Sequence, residues 1–75
     1  MAKHELDATG LLCPMPVIKT QDKIQELQAG DTLTVYCTDP GAISDVTAWS
    51  RINGHKVLDA VEQDEQIIIK LEVMR

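Results

Sequence analysis

The chain has 75 residues, 12 acidic and 7 basic, for a formal net charge of −5. Such a length makes one small domain, 1–75, which buries only about 60% of its unfolded surface. A hydrophobic fraction of 44% excludes a disordered chain. No apolar run reaches the roughly 20 residues of a membrane helix, and the acidic balance argues against phosphate-driven binding of RNA or DNA. The same balance is compatible with docking onto a basic protein surface.

Met1-Ala2-Lys3-His4-Glu5 leads into strand-like sequence without a signal peptide, so a cytoplasmic setting is expected. Two cysteines are too few for a secreted disulfide framework and fit reduced thiols. His4 to Asp7 is a short strand with Leu6 as its apolar member, and Ala8-Thr9-Gly10 breaks it. Pro14 starts a helix whose inner side is read as Val17, Ile18, Gln21, Ile24 and Leu27, with Gly30 as its C-terminal cap.

Thr32 to Cys37 alternates and is rich in β formers. Leu33, Val35 and Cys37 share one face; Thr32, Thr34 and Tyr36 share the other. Asp39-Pro40 reads as an N-cap followed by proline at the first helical position. Ile43, Val46 and Trp49 form the apolar stripe of this second helix, which ends at Asn53-Gly54. Lys56 to Gln63 and Gln66 to Val73 are two strands joined by an Asp64-Glu65 turn. In the last of them Ile67, Ile69, Leu71 and Val73 face one way, with Ile68 the apolar exception on the other side.

The order β-α-β-α-β-β has two crossover units, which favour parallel pairing, and a closing antiparallel hairpin. Each strand has one polar face. The expected fold is therefore a two-layer α/β sandwich of the α+β kind: a four-stranded mixed sheet covered on one face by two helices. Cys13 follows the carboxyl end of the first strand and Cys37 lies at the carboxyl end of the second; with parallel strands this is one sheet edge, at which sites in such folds usually lie.

Gly10-Leu11-Leu12-Cys13-Pro14-Met15-Pro16 is the segment that speaks of chemistry. Proline is tolerated in a first helical turn, and the residue before it is pushed to extended angles. Cys13 is thus expected to cap the helix, its sulfur at the positive end of the helix dipole, where a thiolate is stabilised. Pro14 and Pro16 remove two N–H donors there, leaving Met15 and Val17, so the expected pKa depression is moderate. The plainer reading of Cys13 is an ordinary capping residue.

The residues Leu6-Asp7-Ala8-Thr9-Gly10-Leu11, Cys13-Pro14-Met15-Pro16, Gly30-Asp31, Asp39-Pro40-Gly41 and Gly54-His55 make the chain resemble the TusA/SirA family of small sulfur carriers. The resemblance covers essentially the whole chain. It implies the same β-α-β-α-β-β fold and a motif cysteine, here Cys13, that accepts sulfane sulfur as a persulfide. It also implies a donor protein, a cysteine desulfurase or rhodanese-type protein, and a downstream acceptor protein. The acceptor's relay could serve tRNA thiolation, molybdenum-cofactor maturation, sulfur oxidation or selenium metabolism. Two positions depart from the tRNA-thiolation members: Leu12 stands where they carry Arg, and Cys37 or Thr38 where they often carry Asp.

The expected site is therefore Cys13, supported by Gly10, Pro14, Met15, Pro16, Asp7 and Asp39. Asp7 is expected to fix the loop before Cys13 and Asp39 to cap the second helix. Met15 is expected to be exposed beside the thiol, and Trp49 to be core. Cys37 reads either as a small core hydrophobe or as a redox partner of Cys13. His55 is expected at the opposite sheet edge, near the second helix's carbonyls. His4, Cys13, Cys37 and His55 match no zinc spacing, and the sulfur-carrier reading needs neither a metal nor an organic cofactor. A monomer that contacts neither membrane nor nucleic acid completes the reading. Its rivals are a Cys13–Cys37 redox protein and a non-catalytic regulatory or RNA-binding module.

Overall fold

The computed structural model describes residues 2–12 and 14–74. The elements are β1 (Lys3–Ala8), α1 (Met15–Gln25), β2 (Thr32–Cys37), α2 (Ala42–Ile52), β3 (Lys56–Gln63) and β4 (Gln66–Glu72). The order and fold class are those expected: a mixed four-stranded sheet with two helices.

Neighbouring strands run β1-β2-β4-β3. β1 pairs parallel with β2, while β4 pairs antiparallel with both β2 and β3. The second crossover therefore does not place β3 beside β2, as the sequence suggested; β4 lies between them. Apolar content explains the choice. Ile67, Ile69 and Leu71 of β4 are buried, whereas β3 leaves Leu58 and Val61 exposed and serves as an edge strand. A register shift between Val57 and Asp59 leaves Leu58 unpaired in this edge, an irregularity that also blunts it against further pairing.

One sheet face carries Leu6, Ala8, Leu33, Val35, Cys37, Ile67, Ile69 and Leu71 against the helices. The other face has no helix. There Tyr36, Ile68 and Val61 form one cross-strand row, which gives Ile68 its place.

Both helix faces differ from the sequence reading. α1 buries Pro16, Thr20 and Ile24, with Leu27 just beyond it, and leaves Ile18 and Gln21 exposed. α2 buries Ala42, Val46 and Ser50, while Ile43 and Trp49 pack at the core margin. The physical reason is the same in both. Thr20 donates its hydroxyl to the Pro16 carbonyl at 2.8 Å, and Ser50 donates to the Val46 carbonyl at 2.8 Å. Satisfied within their own helices, these small polar side chains can line the core. Trp49 stacks on His55 with ring centroids 5.7 Å apart.

The caps shift as well. Pro14, not Cys13, is the N-cap of α1, and Gly41, not Asp39, is the N-cap of α2. Gly30, with φ +93°, belongs to the turn before β2, since α1 already ends at Glu26. Asn53 closes α2 as expected, with Gly54 at φ +82° allowing the reversal.

Candidate functional site

Cys13 lies outside the described residues, so the site is built from the chain on either side of it. Parallel pairing places Ala8 opposite Cys37, and Cys37 opposite Ile67. The β1–α1 loop, the β2–α2 loop and the β3–β4 hairpin consequently share one end of the sheet.

The β1–α1 loop is tied locally. The Asp7 carboxylate accepts the Thr9 hydroxyl at 2.6 Å and the Thr9 N–H at 3.0 Å. These bonds, the hydroxyl's first, hold the Asp7 carboxyl below its ordinary value. Gly10 then turns with φ +79°, a conformation costly for other residues. Its N–H donates to the Thr38 hydroxyl at 2.8 Å, linking the loop to the strand exit of β2. Downstream, the Met15 N–H donates to the Leu12 carbonyl at 2.8 Å.

That last bond alters the electrostatics expected from sequence. Pro14 and Pro16 have no N–H, and the Met15 donor is already used. Of the first-turn donors, Val17's alone is neither removed by proline nor given to Leu12. Leu12 is 73% exposed and Met15 38% exposed, and Pro14 is exposed too, so the chain is open to solvent on both sides of position 13. Pro16 instead points into the core. The expected exposure of Met15 is met; Pro16 supports the site from beneath.

Asp39 forms an Asx turn: its carboxylate accepts the Gly41 N–H at 3.1 Å, and its carbonyl accepts the Ala42 N–H at 2.9 Å. It shapes the approach to α2 from two residues before the cap. An open hollow of about 520 Å³ lies nearby, lined by Thr38, Pro40, Glu62, Asp64, Glu65 and Gln66. A second, of about 420 Å³, is lined by Glu5, Asp7, Thr9, Tyr36 and Gln66. The hairpin between them turns through Asp64 (φ 51°) and Glu65 (φ 65°).

Cys37 is fully buried, and burial, helped by the charge of Asp39, pushes its thiol pKa up. A buried, protonated thiol is a poor nucleophile and packs as a small hydrophobe. His4 and His55 lie at the other end of the sheet. His4 Nε2 is 3.4 Å from Asp31, and His55 Nδ1 accepts the Met74 N–H at 3.2 Å. The two histidines are therefore not brought to Cys37. Among the described residues no group of three or more His, Cys, Asp or Glu side chains could hold a metal ion. None of their helices is long and apolar enough to cross a membrane.

Sequence reasoning missed Thr38 as a tie to the loop and Asp31 as a buried anchor. Comparison with known proteins adds the family context. The profile of the family described as Sulfurtransferase TusA matches residues 4–73. YrkI of Bacillus subtilis is 44% identical over 70 residues, covering 93% of this chain and 91% of its own. The sulfur carrier protein TusA of Allochromatium vinosum is 34% identical over 60 residues, covering 80% and 79%. A crystal structure of a SirA-like protein from Desulfitobacterium hafniense has the same fold, with a TM-score of 0.84, 24% identity, and 96% and 99% coverage.

Proposed function

The chain belongs to the sulfurtransferase TusA family, and from that membership we propose that it carries sulfur as a persulfide on Cys13. The supporting observation is local. Position 13 stands between exposed Leu12 and exposed Pro14 at the head of α1, at the sheet end where the loops gather.

The transfer is a thiolate–sulfur exchange. The Cys13 thiolate attacks the outer sulfur of a donor persulfide. The donor's S–S bond breaks, its electron pair leaves on the donor thiolate, and Cys13 gains the outer sulfur. An acceptor thiolate then attacks that outer sulfur and returns Cys13 to its thiolate. No external oxidant or reductant is consumed. Donor and acceptor are proteins that must each reach the same sulfur, which suits a small carrier in a reducing cytoplasm.

Gly10 and Pro14 set the path of the chain through the site, Pro16 anchors it to the core, and Met15 offers a flexible thioether to a docking partner. Asp7 and Asp39 shape the two loops. The acidic groups Glu62, Asp64 and Glu65 on the neighbouring hairpin favour a basic protein partner and disfavour RNA. Burial of Cys37 weighs against the dithiol redox alternative.

The test is mass spectrometry of the chain after incubation with a cysteine desulfurase and cysteine. One added sulfur, mapped to the Cys13 peptide and lost in Cys13→Ser with the unfolding midpoint unchanged, is expected. Sulfur on Cys13→Ser at the wild-type level, or a Cys13–Cys37 disulfide as the main product, refutes the proposal.

A further inference from the structure

Resting on that reading of Cys13, we infer that Thr38 is a positioning residue: its hydroxyl holds Gly10 and thereby sets the loop that presents the cysteine. Of the hydrogen bonds described for residues 9–12, the Gly10–Thr38 bond alone reaches a distant part of the chain, 28 residues on. The others are local. Thr9 bonds to Asp7, Leu11 to Ala8 at 3.4 Å, and Met15 to Leu12. Local bonds shape the loop but do not fix where it stands relative to the sheet. Thr38 does this from a well-anchored base, because Cys37 before it is paired to Ala8 on one side and Ile67 on the other.

The anchoring point has leverage. Gly10 is three residues from Cys13, about 10 Å of extended chain at most. Gly10 also has the freest backbone in the loop and makes its turn at positive φ. Without the Thr38 bond, its N–H can be satisfied by water in many orientations, since Gly10 is exposed. Folding then loses little, while the set of loop positions widens. Thr38 needs only an acceptor oxygen for this role, so serine should replace it and valine should not.

Three chains are compared: wild type, Thr38→Val and Thr38→Ser. Cys13 alkylation by iodoacetamide is followed at neutral pH, with the modified peptide identified by mass. Loading with inorganic polysulfide is followed in parallel. In Thr38→Val the Cys13 alkylation rate at neutral pH should fall about fivefold, the population change that one hydrogen bond of about 1 kcal/mol corresponds to. Thr38→Ser should stay close to wild type, and all three should unfold at similar temperatures. Wild-type rates in Thr38→Val overturn the inference, as does an equal loss in Thr38→Ser, which would implicate the methyl group.

Amide exchange in the wild type gives a check that needs no variant: the Gly10 N–H should be protected, and exchange at the free rate overturns the inference. The outcomes separate from those for the carrier role. A wild type that alkylates in a Thr38-dependent way but takes up no sulfur sinks the carrier reading alone. Normal uptake by Thr38→Val sinks only the positioning role.

Discussion

At the end of the sheet where β1 begins, Asp31 is only 7% exposed and stitches three segments together. Its carboxylate accepts the Ala2 N–H at 3.0 Å and the Gln28 N–H at 3.1 Å, and lies 3.4 Å from His4 Nε2. At the end where β1 stops, Asp7 is exposed, and the bonds described for it reach only Thr9, two residues on. One aspartate joins the chain's start to the α1–β2 turn; the other shapes a single loop. The contrast separates two demands on a small domain. The Asp31 end supplies stability through long-range closure, whereas the Asp7 end keeps a loop shaped yet open for partners to reach.

The most damaging test of this division is Asp31→Ala. It leaves two backbone N–H groups without their acceptor and removes the charge facing His4. The unfolding midpoint should drop by several degrees, while sulfur loading per folded molecule stays at the wild-type rate. The variant should also change the acid response. Backbone bonds from Gln28 and then Ala2 hold the Asp31 carboxyl below its ordinary 3.8. A depressed folded pKa means that the unfolded chain takes up the proton first. The stabilisation is therefore complete above the ordinary value and drains away as pH falls through the folded one. Asp31→Ala should lose this part of the acid slope. Loading that falls in step with the midpoint would dissolve the division between the ends.

These two aspartates also mark what sequence can and cannot convey. The alternation of Leu33, Val35 and Cys37, the Asp64-Glu65 turn and the Asn53-Gly54 stop are local signals, and each appears in the structure as read. The helix faces were misread because Thr20 and Ser50 look polar as letters. Their hydroxyls are satisfied one turn back, a fact of geometry rather than composition. Strand order depended on β4 outcompeting β3 for the sheet interior. Asp31 becomes an anchor only because Ala2, 29 residues away, arrives beside it, and Thr38 meets Gly10 across 28 residues. Such partners have no spacing rule. In the Gly10-to-Pro16 segment the proline-led start of α1 was legible because proline's effect is local, whereas Cys13 lies outside the described residues.

A smaller effect is expected from Asp7→Ala. Thr9 is exposed, so water can replace the lost carboxylate, and the unfolding midpoint should barely move. The loop loses an internal brace while keeping its Thr38 tie. Loading should slow by about twofold, less than in Thr38→Val, because a local bond restricts the loop's shape but not its placement. A loss larger than that of Thr38→Val, measured by the same polysulfide assay, would reverse the ranking of local and long-range restraints at this end.

The smallest effect on chemistry should come from Cys37→Ala, although Cys37 sits in the strand whose exit carries Thr38. Its side chain is fully buried between Ala8 and Ile67 in the register, so truncation leaves a small void costing about 1 kcal/mol. Burial has already raised the thiol's pKa, and at neutral pH it stays protonated and closed to reagents. Sulfur loading of Cys37→Ala should match wild type, and in the folded wild type iodoacetamide should spare Cys37 until the chain unfolds. If loading instead collapsed with the midpoint nearly unchanged, Cys37 would have to reach Cys13 through an opening of the sheet end. The loop-bearing end would then act by breathing as well as by presenting one sulfur.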